Sequence, residues 1–114
     1  MLRRKPREKD EILPGTLEML ILKTVSRGPM HGYRIAQTIQ QSSDDILQVE
    51  EGSLYPALQR MQIKGWLTSE WQMSELNRKA RFYKLTAEGR EQLDAEMQKF
   101  GRITGAIWRV LENA

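Results

Sequence analysis

The sequence of 114 residues contains no cysteine and a single histidine, His31. Disulfide bonds and thiolate metal sites are therefore excluded, and one imidazole cannot build a histidine metal cluster, so we expect no metal, no redox centre and no other cofactor. The longest apolar run, residues 19–22, is too short to cross a bilayer, and no apolar segment follows the charged residues at the N-terminus. These absences predict a soluble, cytoplasmic protein with no membrane partner.

Apolar side chains are also scarce. A hydrophobic content of 39% beside 29% charged residues predicts one compact domain with a modest core, which association into a dimer would enlarge. Catalytic motifs are missing as well, because the sequence suggests no nucleophile–base pair and has no glycine-rich phosphate loop, and His31 has no partner by motif. We therefore do not expect an enzyme.

Charged residues are gathered by sign into separate segments. Lysine and arginine concentrate in residues 3–9, 60–64 and 78–84, whereas acidic residues concentrate in residues 44–51 and again in the last helical segment. The formal net charge of +3 and the isoelectric point of about 9.4 permit a polyanionic partner. The separation of the charges predicts one basic face.

Three segments follow from composition. Residues 1–11 are basic and poor in apolar side chains, which predicts a flexible arm that is either a solvated tail or a segment laid along phosphates or in a minor groove. Residues 12–86 carry alternating helix and strand patterns, and residues 87–114 carry one long helical pattern.

Two helices are predicted first. Thr16 follows Pro14-Gly15 and is a good N-cap for a helix whose apolar stripe is Leu17, Leu20, Ile21 and Val25. A second helix covers residues 31–41, ends at the polar cluster of residues 42–45, and has the stripe Tyr33, Ile35, Ala36 and Ile39. We expect His31 to begin this helix and to bond locally, in preference to acting as a proton switch.

A third helix is predicted after residues 49–51. Gly52-Ser53 is expected to cap it, Pro56 to fall in its first turn, where backbone N–H groups have no helical acceptor, and Gly65 to close it. Its buried side is Leu54, Leu58 and Met61. Its outward side has no acidic residue and shows Tyr55, Gln59, Arg60, Gln62 and Lys64.

Two strands follow, over residues 66–72 and 80–85, and should pair as a hairpin. The polar connection of residues 73–79 carries Asn77, Arg78 and Lys79, which predicts a loose two-stranded wing with a cationic end. Trp66 and Trp71 are expected to pack this ribbon against the helices.

The last helix should begin after Thr86 as N-cap and run to about Glu112. Steps of four and three residues, the spacing of a heptad seam, connect Leu93, Met97, Phe100, Thr104, Ile107 and Leu111. Trp108 flanks this seam, and we expect it to pack at a dimer core in preference to lining an effector pocket. Gly101 and Gly105 lie inside this predicted helix, where glycine is unfavourable. They either allow a second helix to approach closely or mark a kink.

Three helices followed by a two-stranded ribbon make a mainly α winged helix-turn-helix, a fold in which the third helix projects side chains into a DNA groove. Base reading needs hydrogen-bonding or apolar side chains on that helix, and the candidates are Ser53, Tyr55, Gln59 and Arg60. The wing candidates for phosphate contact are Arg78, Lys79 and Arg81. The alternative is a winged-helix protein–protein adaptor that binds no DNA.

Three stretches carry a family resemblance. LPGTLEMLILKTVSRGPMHGYRIAQTI, EEGSLYPALQRMQIKGWL and ARFYKLTAEGREQL resemble, in order and spacing, the PadR family of transcriptional regulators, and in particular its short members with one C-terminal helix. The resemblance covers about residues 13–100.

This resemblance implies a repressor that binds double-stranded DNA as a homodimer on an inverted repeat and that dimerises through the last helix. It places Tyr33 and Tyr55 near DNA, with Arg81 and Lys84 bracketing the second wing strand. It further implies an effector, since family members often answer to phenolic or other small hydrophobic molecules. The complete predicted DNA-binding set is Tyr33, Ser53, Tyr55, Pro56, Gln59, Arg60, Lys64, Asn77, Arg78, Lys79 and Arg81.

Overall fold

A computed structural model describes residues 10–11 and 15–113 of the protein. The elements within these ranges are β1 (Asp10–Glu11), α1 (Leu17–Val25), β2 (Met30–His31), α2 (Gly32–Ser42), β3 (Leu47–Gln48), α3 (Glu51–Ile63), β4 (Leu67–Met73), β5 (Lys79–Leu85) and α4 (Ala87–Asn113). The first nine residues of the predicted basic arm lie outside the described residues, and its last two form β1, which pairs in parallel with β3.

The core is formed by the apolar sides of α1, α2 and α3. Most residues of the predicted stripes supply it, but in α1 the buried side chains include Met19 and Leu22, which the stripe did not contain, while Leu17 and Leu20 are only half-buried. The largest fully buried side chains are Ile21, Leu22, Ile35, Leu54, Leu58 and Met61 of the helices and Leu67 of β4. Burial of one such side chain stabilises the fold by about 1.5–3 kcal/mol, so these contacts fix how the three helices lie against one another.

Helix α2 begins where the sequence indicated. The backbone of His31 is extended, and its Nδ1 accepts a hydrogen bond from the Arg34 N–H at 3.2 Å, which confirms the capping role predicted for this histidine. The predicted stripe needs one correction, since the Tyr33 side chain is exposed whereas Ile35 and Ile39 are buried. Tyr33 therefore lies on the outer side of the helix and adds nothing to the core.

Helix α3 begins earlier than predicted. Glu50 is the N-cap, and its carbonyl accepts hydrogen bonds from the N–H groups of Ser53 and Leu54 at 3.0 and 2.9 Å, so the prediction that Gly52-Ser53 caps the helix was wrong. Pro56 accordingly lies in the second turn, where its ring removes the N–H that would bond to the Gly52 carbonyl. Both of these residues are exposed, so water can satisfy that carbonyl.

The end of α3 is as predicted. Gly65 adopts a φ of +82°, in the left-handed region that suits glycine, and its N–H donates to the Gln62 carbonyl at 3.0 Å. The Trp66 N–H donates to the Met61 carbonyl at 3.0 Å, which completes a Schellman motif and turns the chain into β4.

The predicted hairpin is present. Strands β4 and β5 pair antiparallel from Leu67 opposite Leu85 to Met73 opposite Lys79, and β2 adds a third strand beside β5. Trp66 packs against the core, as predicted. Trp71 does not, because its side chain is exposed, and the prediction that it packs the ribbon against the helices was wrong.

The start of α4 is fastened to the turn between α3 and β4. The Thr86 hydroxyl donates to the Gly65 carbonyl at 2.7 Å and accepts from the Gly89 N–H at 2.9 Å, which confirms Thr86 as the N-cap. Leu93 is buried in the core, but the apolar side chains from Met97 onward are exposed. In the described part of the chain, no helix combines the length and the apolar character that a bilayer span requires.

Candidate nucleic-acid interface

The outward face of α3 is centred on four residues spaced at helical intervals, Gly52, Pro56, Gln59 and Ile63. All four are exposed, and the buried residues of the helix lie on the opposite side. Pro56 and Gln59 were predicted for this face, but Gly52 and Ile63 were not, because Gly52 was assigned to the helix cap and Ile63 was not recognised as part of the outward face. Gly52 lies four residues before Pro56 and Ile63 lies four residues after Gln59, and this helical spacing could have identified both. The four residues form a smooth ridge on which the Gln59 amide is the one polar side chain.

One flank of this ridge, facing α1, carries Arg60 and Lys64. Arg60 Nε lies 3.1 Å and Lys64 Nζ lies 3.7 Å from the Glu18 carboxylate of α1, and the Lys64 ammonium also lies 4.6 Å from the centre of the Trp66 ring. Both cations remain about half exposed, and surface ion pairs of this kind contribute about 0–1 kcal/mol. An external anion can therefore replace Glu18 at small cost. Ser53 is exposed near the start of the helix.

Tyr55 lies on the other flank, against the start of α2. A Cβ atom at Gly32 would lie 2.8 Å from Tyr55 Cε1, so the glycine of the HGY sequence allows this ring to pack closely. Burial, followed by the nearby Glu51 carboxylate, raises the pKa of Tyr55, and burial likewise raises the pKa of Tyr83. Tyrosine hydroxyls are neutral near pH 7 even at their ordinary pKa of about 10, so each of these can donate a hydrogen bond.

A groove of about 400 Å³ separates this flank of α3 from the wing. It brings together predicted DNA-binding residues from three elements, namely Tyr33 of α2, Tyr55 of α3 and the cations Lys79 and Arg81 of β5. The remaining lining residues are His31, Gly32, Trp71, Ala80 and Tyr83. Aromatic rings beside cations suit a sugar–phosphate chain, which presents both apolar and anionic surface.

Gln62 does not take part in this surface as predicted. Its side chain is half-buried, and Nε2 donates to the Ser69 hydroxyl at 2.9 Å, so the amide joins α3 to β4. The prediction had placed Gln62 on the outward face, but it lies closer to the wing than Gln59 does.

The tip of the wing is an ordered turn. The Ser74 N–H donates to the Arg78 carbonyl at 2.8 Å, and the Asn77 N–H donates to the Ser74 carbonyl at 2.9 Å. Asn77 adopts a φ of +58°, which asparagine tolerates better than most residues. The side chains of Asn77, Arg78 and Lys79 are exposed, as a cationic tip requires.

The same tip contains an acidic residue, Glu75, that the sequence analysis did not single out. Its Oε1 lies 3.4 Å from Arg34 Nη1 and 3.8 Å from His31 Nε2, so it connects the tip to the start of α2. A hydrogen bond from its own backbone, and then the charges of His31 and Arg34, lower the pKa of Glu75. The wing is thus less loose than predicted, and its cationic end includes one carboxylate.

Arg81 is held at two points on the wing. Its Nε donates to the Ser69 hydroxyl at 2.8 Å, and its guanidinium carbon lies 5.2 Å from the centre of the Trp71 ring. Trp71 is directly opposite Arg81 in the register of the two strands, which explains the stacking. The structure therefore places Trp71 in the candidate interface, where the sequence analysis did not.

Six of the seven predicted dimerisation residues lie along an unpaired face of α4. The seventh, Leu93, is buried in the core of the single chain, so its assignment to the dimer interface was wrong. Met97, Phe100, Ile107 and Leu111 are between 41% and 60% exposed, and Trp108 is also exposed. The Thr104 hydroxyl is satisfied within the helix, donating to the Phe100 carbonyl at 2.7 Å. Ile103 and Val110, which the seam did not include, widen this apolar face. At the Met97 end of this apolar face, a recess of about 260 Å³ separates α4 from α1. Its lining residues are Met19, Leu20, Lys23, Met97, Phe100 and Gly101.

Comparison with known proteins identifies the relatives of this arrangement. A PadR-like transcriptional regulator from Bacillus cereus is 31% identical and has a TM-score of 0.73 over 85% of this chain and 92% of that chain. A PadR family transcriptional regulator from Eggerthella lenta is 27% identical, with a TM-score of 0.75 over 88% of this chain and 85% of that chain.

One curated relative is longer. An uncharacterized 37.1 kDa protein in transposon TN4556 of Streptomyces fradiae is 38% identical over 97 residues, which are 85% of this chain. The chain spans only about a quarter of that relative's length, 26%.

The model of the transcriptional regulator PadR-like family matches residues 21–95, which include α2, α3 and the whole wing. These family members are described as regulators and not as enzymes, which agrees with the missing catalytic motifs. The chain therefore belongs to the PadR-like family of DNA-binding transcriptional regulators.

Proposed function

We propose that the protein is a sequence-specific repressor that binds an inverted-repeat operator as a homodimer, with α3 in the major groove and the wing on the adjoining backbone. The observation that carries this proposal is the exposed ridge of α3 beside a groove that Lys79 and Arg81 border. A helix of this kind fits the major groove, which is about 12 Å wide. In that position, Gln59 would read a base edge, and Tyr33, Ser53 and Tyr55 would contact the flanking chain.

Charge supports the placement of the wing. Arg78 and Lys79 have no acidic side chain within salt-bridge distance among the residues that the structure describes. Each phosphate that such a cation neutralises releases condensed counterions, so these two side chains would supply affinity without sequence preference. Arg60 and Lys64 would add to it by exchanging Glu18 for phosphate.

The proposed dimer rests on α4. Its unpaired apolar face extends from Met97 to the last turn, beyond the reach of the three-helix core. In a symmetric dimer, the same face of a second copy would cover it, which holds two reading helices at a fixed spacing on the operator.

We also propose that a small hydrophobic or phenolic ligand releases the protein from DNA. The apolar recess between α1 and α4 supports this, but its volume of about 260 Å³ is below the roughly 300–1,000 Å³ of most ligand pockets. A second copy would therefore have to close the site, and ligand binding there would alter the dimer geometry that operator binding needs. Quenching of tryptophan emission by candidate compounds is a first test of this part of the proposal.

Operator binding is tested with a duplex that the protein itself enriches from a library of random double-stranded sequences, referred to below as the selected duplex. Anisotropy titrations at increasing KCl concentration give the slope of log affinity against log salt. Arg78→Ala with Lys79→Ala should reduce the magnitude of that slope by about 4, because the variant removes two phosphate contacts from each protomer of the dimer and each contact contributes about 1.

The matched control is Arg102→Ala with Arg109→Ala, which removes two exposed cations from α4 and should leave the slope unchanged. An unchanged slope in the wing variant would reject the wing assignment. If the wild-type chain bound the selected duplex no better than heparin at moderate ionic strength, DNA reading would be rejected and the protein–protein adaptor would become the better hypothesis.

A further inference from the structure

Trp71 occupies an unusual position for a large aromatic side chain. It is 60% exposed, and it lies on the side of the wing that borders the groove next to α3. Exposure of so much apolar surface is unfavourable in water, and the core gains nothing from this ring. Its contact partner in the structure is the charged group of Arg81, at 5.2 Å.

The contact limits how Arg81 can move. The Nε hydrogen bond to Ser69 and the Trp71 ring together hold the guanidinium plane, while the donors on its two terminal nitrogens lie outside that hydrogen bond. A free arginine side chain loses rotamer freedom when it binds, and immobilisation of one such side chain costs about 0.5–1.5 kcal/mol. Because Arg81 is already held in the structure, it loses less rotamer freedom on binding than a free arginine side chain would.

The position of the pair indicates which part of a duplex it would meet. Trp71, Arg81 and Tyr83 share one face of the ribbon, and that face borders the groove whose other wall includes Tyr55 of α3. With α3 in a major groove, the ribbon crosses the adjoining sugar–phosphate chain, and the next opening along the duplex is the minor groove. That groove is about 6 Å wide, which admits a single guanidinium but not a helix.

We propose that Trp71 is a positioning residue that holds Arg81 for insertion into the minor groove beside the α3 site, so that the protein prefers A·T-rich sequence at the flanks of its operator. The inference rests on the proposed DNA-binding function and adds a specificity determinant to it. A·T-rich tracts narrow the minor groove and deepen its negative potential, which attracts an inserted arginine. A phosphate contact by the same arginine would show no such preference.

The test compares the sequences that each variant enriches from the random duplex library. Wild type and Trp71→Phe, which keeps an aromatic face for Arg81, should enrich one central sequence with A·T-rich flanks. Trp71→Ala, and Arg81→Lys, whose compact ammonium can neither stack as a plane nor bond through Nε, should enrich the same central sequence without flank preference. Gln72→Ala, an exposed neighbour on the opposite face of β4, is the matched control and should behave as wild type.

Affinities give the second readout. Trp71→Ala should weaken binding of the selected duplex about five- to 150-fold, the equivalent of immobilising one long side chain in each protomer of the dimer, and should leave a version with G·C flanks nearly unaffected. The slope against salt should stay the same, because tryptophan carries no charge.

Three results would overturn the inference while leaving the proposed function intact: a wild-type selection with no flank preference, a Trp71→Ala selection that keeps it, or an equal loss of affinity for both flanks. Should Trp71→Ala fail to fold by circular dichroism, Arg81→Lys decides by the same criteria. A wild-type selection that enriches no sequence at all would reject the proposed function, and the inference with it.

Discussion

The body of the protein, from α1 to the first two turns of α4, and the distal part of α4 use apolar side chains in opposite ways. In the body these side chains meet in one core, and Leu93 is the last of them, at 3% exposure. Two to five turns further along the same helix, Phe100, Ile107 and Leu111 are 41%, 51% and 60% exposed. The seam continues past Leu93, with Thr104 as its one polar residue, but the rest of the chain no longer covers it.

This difference separates two kinds of stability. The body buries enough apolar surface to be fixed by its own sequence, whereas the distal half of α4 carries a surface that a single chain leaves in water. A helix of 27 residues is about 40 Å long, which exceeds the length that three short helices can cover. The distal half thus depends on a second copy under the proposed function, and the predictions below test that dependence.

The largest expected effect is on dimerisation. Ile107→Glu with Leu111→Glu should raise the dissociation constant of the dimer by about a thousandfold or more, since burial of an unpaired carboxylate costs several kcal/mol per ion. Thermal unfolding of the body should change little, because both residues are far from the core. Sedimentation velocity measures the first effect and circular dichroism the second.

Gln98→Glu with Asn113→Glu is the control for this variant, because it adds the same charge to the exposed opposite side of the helix. A seam variant that sediments as the control does would show that the distal seam is not the dimer interface.

The next effect concerns two glycines of α4, one in each region. A Cβ atom at Gly89 would collide with the Trp66 carbonyl, whereas one at Gly101 would meet nothing within 4 Å. Gly89→Ala should therefore lower the free energy of unfolding by about 1–3 kcal/mol through overpacking. Gly101→Ala should raise it by about 1 kcal/mol, the difference in helix propensity between the two residues.

Urea unfolding of both variants measures whether each substitution lowers or raises the free energy of unfolding. A destabilising Gly101→Ala that also weakens the dimer would show that two helices approach closely at this glycine, one of the two interpretations that the sequence leaves open.

The smallest effect tests the exposed wing tip, which belongs to the body but is held by surface contacts. Arg34→Ala should raise the pKa of Glu75 part of the way to its ordinary value, because the backbone hydrogen bond of Glu75 persists and His31 remains nearby. His31→Asn, which keeps a good N-cap, should also raise it. Carboxyl chemical shifts followed through a pH titration measure both changes.

The lowered pKa of Glu75 also determines how this residue makes the stability of the fold depend on pH. The contribution of Glu75 is present above its ordinary pKa and disappears as the pH falls through the lower folded value. An Arg34→Ala variant with no change in the pKa of Glu75 would show that this ion pair does not form in solution.

The elements that the sequence predicted well are those with strong periodicity. The stripes of α1, α2 and α3 and the cap at Thr86 depend on neighbouring residues, so local rules describe them. The start of α3 was missed because Gly52-Ser53 is a common capping pair, while the observed cap uses the carbonyl of Glu50, which any residue could supply.

Trp71 shows what periodicity cannot decide. It lies on the same face of β4 as buried Leu67, so alternation predicts a core position for both. Four residues of strand carry Trp71 about 13 Å beyond Leu67, so it borders the groove and not the core. Whether Trp71 reaches the core or the groove depends on how long the ribbon is relative to the body. That relation is a property of the assembled fold, and alternation along β4 does not reveal it. The ion pair of Glu75 with Arg34 is likewise tertiary, since 41 residues separate the two in the sequence.

The central claim is that α3 and the wing form the face that meets a duplex. Amide chemical shifts of the ¹⁵N-labelled protein, recorded before and after addition of the selected duplex, test it residue by residue. The account predicts that the largest changes fall in residues 52–63 and 77–81 and that the far end of α4 changes little. Changes concentrated in α4, or the same changes on adding heparin, would contradict it.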